Sequence, residues 1–150
     1  MAALQTTTYS AVSTTGACDH PVAGAFQLAG INQGARSYKV SYETARSIKD
    51  TSADGAVMVT YVPGRSGGLE IECQQTSALD EFLLYWANLC FTAADSGDVS
   101  DFIGAVILIS NGGRQHVLSG VSPTKIPDQV YGGSGAYRTW VLSAADVVTT

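Results

Sequence analysis

The chain has 150 residues, 45% hydrophobic and only 14% charged, with a net charge of −5. That length suits one domain, 1–150, with a sizeable core; a charged share far below the usual quarter or so implies a surface that is neutral or buried against partners, as in an obligate assembly. With no basic cluster among eight Lys and Arg, general affinity for nucleic acid through phosphate contacts is excluded.

Residues 1–8 are small and polar and read as a flexible N-terminal arm. The start MAALQTTTYSAV lacks the basic and apolar regions of a secretory signal, and no apolar run reaches the roughly 20 residues of a membrane helix. The expectation is a soluble product with no membrane partner. Residues 9–15 alternate weakly, as an edge-like strand would; 16–24 are turn-rich and 26–28 form an apolar stub. Residues 37–48 read as a strand, with Tyr38, Val40 and Tyr42 facing one way and Lys39, Ser41 and Glu43 the other. Residues 45–56 then return the chain through a polar connection, longer than the two to five residues that hairpins commonly use. Long ordered tips of this kind tend to carry contacts.

Residues 57–62, rich in β-branched and aromatic side chains, read as a half-buried strand. Pro63, Gly64, Arg65, Ser66, Gly67 and Gly68 read as a turn cluster. In residues 69–74, Leu69, Ile71 and Cys73 alternate with Glu70, Glu72 and Gln74, the mark of a strand with one wet face. Ser77 is a candidate N-cap, with Asp80 where a carboxylate would reach back to the cap and Glu81 at the favourable end of the helix dipole. Leu79, Phe82, Leu83, Trp86 and Leu89 recur at helical spacing, predicting a short helix with one core face.

Residues 92–100 read as a polar loop, and 105–109 as a strand buried on both faces. Asn111, Gly112 and Gly113 make a hairpin turn into a strand over 115–121. Residues 122–131, interrupted by Pro123 and Pro127, are irregular; 132–135 turn; 137–142 are the last strand, and 144–150 a tail. Six or seven strands and one helix, mostly hairpin-connected, predict a mainly β fold: an antiparallel β-sandwich or barrel-like sheet with one flanking α-helix.

No catalytic, cofactor-binding or metal-binding residue emerges. Gly64, Ser66 and Gly68 match a hydrolase G-x-S-x-G pattern, but that elbow needs a helix after the serine, and a strand follows here. Cys18, Asp19 and His20 have no second ligand pair at zinc spacing. Asp95, Asp98 and Asp101 recur every third residue, whereas calcium loops alternate every second. The odd count of three cysteines lacks a disulfide framework and reads as a reduced intracellular chain, with Cys73 and Cys90 as small buried hydrophobes.

Several segments resemble the small tail tube proteins of contractile-tailed bacteriophages. They are Ala53 to Met58 (ADGAVM), the Gly67-Gly68 entry to an alternating strand, Thr76-Ser77 opening the helix, Lys125 to Tyr131 (KIPDQVY), and Tyr137 to Trp140 (YRTW). Their order spans nearly the whole chain; the 92–101 stretch fits less well. The resemblance implies a non-enzymatic virion protein without cofactors, assembled in the host bacterial cytoplasm. Its subunits would form hexameric rings that stack into a tube inside a contractile sheath. Baseplate and terminator proteins would lie at the tube ends, and genome DNA would pass through without specific binding. A heterologous contact that closes laterally and stacks openly has the geometry of such a filament. Alternatives are the tube of a phage-derived bacteriocin or secretion-like machine, and a small β-barrel binding module. The family's ring-stacking loop matches residues 45–56, so Arg46, Ile48, Lys49, Asp50 and Asp54 are expected at the inter-ring contact. A DNA conduit implies a polar, on balance negative lumen, for which Glu70, Glu72, Gln74 and Glu43 are the candidates. The same alternation equally fits a face turned to the sheath or solvent.

Overall fold

In the computed structural model, which describes residues 6–30 and 33–150, residues 6–10 are exposed and irregular, and the first five residues of the expected arm lie outside the described set. A single 3-10 turn, Ala11–Ser13, stands where a first strand is predicted. The first strand is β1 (Thr15–His20), antiparallel to β2 (Gly24–Ala29), so the stretch predicted as turn and stub is a hairpin. Its inward positions are Cys18, His20 and Leu28.

β3 (Ala35–Tyr42) pairs with β6 (Gly67–Gln74), which pairs with β9 (Tyr137–Ala144). β7 (Ala105–Asn111) turns through Gly112, at φ 63°, into β8 (Arg114–Pro123). β8 joins the two halves: its body pairs with β7 and β10 (Asp146–Thr149), and its last residues, Ser122 and Pro123, pair with β9. The result is one eight-stranded antiparallel sheet in the order β2-β1-β7-β8-β9-β6-β3, with β10 alongside β8. Its two end strands touch, since the Tyr38 hydroxyl on β3 donates to the Leu28 carbonyl on β2 at 2.7 Å. The sheet therefore curls around a common core in a barrel-like way. Residues 144–150, predicted as a tail, supply a strand because Val147 is needed inside, where it joins the core. β7 is not buried on both faces: Ala105, Ile107 and Ile109 point in, while Val106 and Leu108 point out.

The helix α1 (Ala78–Asp95) closes the core and is longer than predicted. Ser77 caps it, its hydroxyl accepting the Asp80 amide at 3.2 Å. Leu79, Leu83 and Trp86 are fully buried, and Phe82, half-buried, stacks on Phe26 with centroids 4.3 Å apart. The helix ends on Gly97 at φ 81°, with the Gly97 amide donating to Ala94 and the Asp98 amide to Ala93. This is a Schellman motif, which only glycine enters without strain. The remainder of the predicted polar loop holds a short helix, α2 (Val99–Phe102), capped by Asp98. His20 fixes it: Nδ1 accepts the Val22 and Ala23 amides, and Nε2 donates to the Asp101 carbonyl at 2.6 Å.

Asp80 does not reach back to the cap. Its side chain turns inward, taking a 2.9 Å ion pair from Arg138 and a 3.0 Å hydrogen bond from Trp140 Nε1. Arg138 also donates to the Pro127 carbonyl at 2.9 Å, and both charged residues are buried. One partner alone would be an uncompensated buried charge, which costs far more than the pair contributes.

Asp80→Ala should lower unfolding free energy by about 3–5 kcal/mol in urea titration, and Asp80→Ala with Arg138→Met should regain most of it; a single variant as stable as the parent contradicts the assignment. Burial pushes the Cys18 thiol up to about 12 and the Cys73 and Cys90 thiols to about 11. A thiol-disulfide reagent at neutral pH should label none in the folded protein and all three after denaturation.

Candidate functional site

Between β3 and β6 the chain makes an excursion outside the core. The strand predicted over 37–48 breaks after Tyr42, and pairing resumes as β4 (Ser47–Thr51) with β5 (Val57–Tyr61). Residues 45–56 are thus the first strand and turn of a two-stranded ribbon, not a loop. Both ribbon strands are exposed throughout and form a separate sheet. The strand predicted as half-buried is instead exposed, with Val57, Met58, Val59 and Tyr61 each showing 58–66% of their surface.

The ribbon leaves the body through two opposed irregular spans. The Glu43 amide donates to the Ser66 carbonyl at 3.0 Å and the Val62 amide to the Arg46 carbonyl at 2.9 Å, while the Thr44 and Ser66 hydroxyls lie 2.7 Å apart. Pro63 has no amide for the ladder, so pairing lapses there. Gly67 and Gly68 are strand residues, not a turn. A Cβ on Gly67 would fall 2.2 Å from the Ser41 carbonyl oxygen, and one on Gly68 2.6 Å from that of Leu142. Close strand packing, rather than turn geometry, requires these glycines.

Across an antiparallel pair, opposite residues share a face. Ile48, Asp50, Met58 and Thr60 therefore line one side of the ribbon, and Lys49, Val57, Val59 and Tyr61 the other. Arg46, at the base, bonds the Tyr61 hydroxyl and lies over its ring. At the tip, Gly55 takes φ 89°, and the Asp54 carboxylate accepts from the Ser52 hydroxyl and the Ala56 amide. Those bonds, the Ser52 hydroxyl first, hold the Asp54 carboxyl below its ordinary value. Arg46, Ile48, Lys49, Asp50 and Asp54 all lie on the ribbon, spread over both faces. Sequence reasoning missed Val57, Met58, Val59 and Tyr61, although their apolar run beside a polar tip was the available signal.

Glu70 and Glu72 lie on the outward face of β6, opposite Lys39 and Ser37 of β3. A bulge at Arg36 brings its guanidinium onto Glu72 and over the Tyr137 ring, while Lys39 Nζ is 4.0 Å from Glu70. Gln74 is exposed at the end of β6, and Glu43 lies past the end of β3. The face is charge-balanced rather than negative. Among the described residues, no three His, Cys, Asp or Glu side chains cluster as metal ligands would.

The family model described as "Bacteriophage PhiTE tail tube protein" matches residues 6–149. No curated protein sequence matches the chain. Among solved structures, it resembles a chain of the baseplate of the anti-feeding prophage (AFP), 6-fold symmetrised, with a TM-score of 0.59 and 13% identity over 97% of each chain. It is also similar to a chain of the sheath–tube complex of an extracellular contractile injection system, PVC, in the extended state. There the TM-score is 0.58 at 13% identity, covering 95% of this chain and 91% of that one. A third likeness is to the AFP tube-terminating cap, at 0.57 and 12% identity, covering 100% and 95%. At such identities the likeness is one of fold.

The depressed Asp54 value makes its contribution to the turn present above the ordinary carboxylate range and lost as pH falls through the folded value. Asp54→Ala should raise the exchange rate of the Ala56 amide at pH 7 while leaving the β6 and β9 amides as protected as in the parent. An unchanged Ala56 rate removes the carboxylate from the turn.

Proposed function

The chain belongs to the bacteriophage PhiTE tail tube protein family, and from that premise we propose that its subunits form hexameric rings whose β4–β5 ribbons bind the next ring. The observation that carries this reading is the ribbon itself. Five paired residues per strand span about 17 Å at the usual strand rise, and five large apolar side chains, Ile48, Val57, Met58, Val59 and Tyr61, stand in water on it. A monomer gains nothing by exposing such a strip, whereas a partner that covers it removes the apolar surface from water. The two apolar faces suit a ribbon held between neighbours rather than laid on one.

The tube encloses DNA inside a contractile sheath, with baseplate and terminator proteins at its ends, in a virion assembled in the host cytoplasm. The solved chains of like fold come from a sheath–tube complex, a baseplate and a tube cap, which supports this set of partners. The outward face of β3–β6–β9 lines the lumen. There Glu70 and Glu72, paired with Lys39 and Arg36, leave little net charge to retain phosphates, and a chain of net charge −5 adds no general attraction. A second reading, the tube of an extracellular injection machine, is favoured by the source of the PVC chain. Packaged DNA within purified particles separates the two.

Replacing Ser47–Tyr61 by Asn-Gly would close the chain between Arg46 and Val62, which already share a ladder bond. The shortened protein should melt within a few degrees of the parent and form no tubes by electron microscopy. Tubes of normal length from this variant would overturn the reading.

A further inference from the structure

A ribbon that binds another subunit needs a receptor, and the edge of the large sheet offers one. β3 is an end strand of the sheet and, among the described residues, pairs only with β6, so its other edge presents backbone groups that no described strand pairs. Along that edge runs an open cleft of about 1100 Å³, walled by Arg36, Tyr38 and Tyr42 of β3, Tyr9 of the N-terminal segment, and Gly113 and Arg114 of the β7–β8 turn. Small-molecule pockets usually hold roughly 300–1,000 Å³ and enclose their ligand; a larger, open trough with a free strand edge suits a chain segment that adds to the sheet. On its far wall Tyr42 bonds Thr149 and lies 3.3 Å from His116 Nδ1, so the trough is bridged to β8 and β10 and firmly shaped.

The charges match. Arg36 is neutralised by Glu72, but Arg114 at the rim is exposed and, among the described residues, has no ion pair. On the ribbon, Asp54 is spent on its own turn, while Asp50 is exposed beside Met58 and likewise has no ion pair. An acid-tipped apolar ribbon thus faces an aromatic cleft with a basic rim. The ribbon is a separate sheet at the Tyr42 and Gly67 end of the β3–β6 pair and does not fill the cleft of its own chain.

We infer that the β4–β5 ribbon of one copy of this chain seats in the β3 cleft of a second copy, with Asp50 meeting Arg114. The inference rests on the reading of the ribbon as the contact between subunits and names the surface that receives it. Repeated from copy to copy, a contact between two different patches propagates without closing on itself.

The test uses the purified full-length chain with Asp50→Arg, with Arg114→Glu, and with both. Melting curves check folding, and sedimentation with electron microscopy measures assembly. Each single variant should stay folded and pellet about tenfold less, since like charges set face to face oppose a contact strongly. The double variant, and a one-to-one mixture of the two singles, should recover tubes. In a second measurement, Asp50→Cys with Arg114→Cys should give a ladder of disulfide-linked chains under oxidation, absent from either single variant. Single variants that polymerise like the parent, a double variant as impaired as the singles, or tubes without a ladder would each overturn the cleft assignment. So would Arg114→Glu tubes that form normally and fail only to bind sheath, which would give the cleft to the sheath protein. If ribbon removal abolishes tubes while the charge variants do not, the cleft alone is refuted; if ribbon removal leaves tubes intact, the reading of the ribbon falls with it.

Discussion

One buried carboxylate holds the two parts of this subunit together. Asp80, in the first turn of α1, receives Arg138 and Trp140 from β9, and Arg138 in turn holds the Pro127 carbonyl of the irregular 124–136 stretch. Helix, central strand and loop are therefore fixed by a single side chain. The group is costly to bury and would be worse half-paired, so its positions are not interchangeable with other polar residues. Because β9 lies between β8 and β6, fixing it fixes the join between the two halves of the sheet. On that stiff body β6 and β3 emerge as a pair, and the ribbon they carry projects without support of its own.

The division of labour follows from where the apolar residues are spent. Leu79, Leu83, Trp86, Ile107, Leu118, Trp140 and Leu142 fill the interior, while Val57, Met58, Val59 and Tyr61 stand outside. A protein with few charges and an exposed apolar strip is poorly matched to life as a free monomer. It is well matched to the proposed assembly, in which a second copy covers that strip. On the lumen face proposed above, the balanced pairs Lys39–Glu70 and Arg36–Glu72 make a wall that neither grips nor strongly repels a polyanion.

Much of the body was legible in the sequence. The alternation of Leu69, Ile71 and Cys73, the Ser77 cap and the helical stripe through Trp86 each specify local structure by one unambiguous period. The ribbon's exposure is not legible in the sequence, because β-branched and aromatic residues favour a strand without recording what, if anything, covers its faces. β1 and β2 were hidden by glycines and by inward cysteine and histidine, which look like turn or ligand residues. Asp80 stands where a capping carboxylate is expected, yet it falls on the stripe with Leu83 and Ala87, and Arg138 alternates inward with Trp140, Leu142 and Ala144. Opposite charges on two core-facing stripes were the missed signal. Gly97, the stop for the longer helix, was also there to be read.

The ribbon is unburied in the subunit, and the proposed assembly buries it. Hydrogen–deuterium exchange on the same protein, as dispersed subunits and as tubes, tests it directly. The backbone amides of residues 47–61 should exchange within seconds in the subunit and become strongly protected in the tube, while those of β6 and β9 are protected in both. Ribbon amides that remain as fast in the tube as in the subunit would contradict the account.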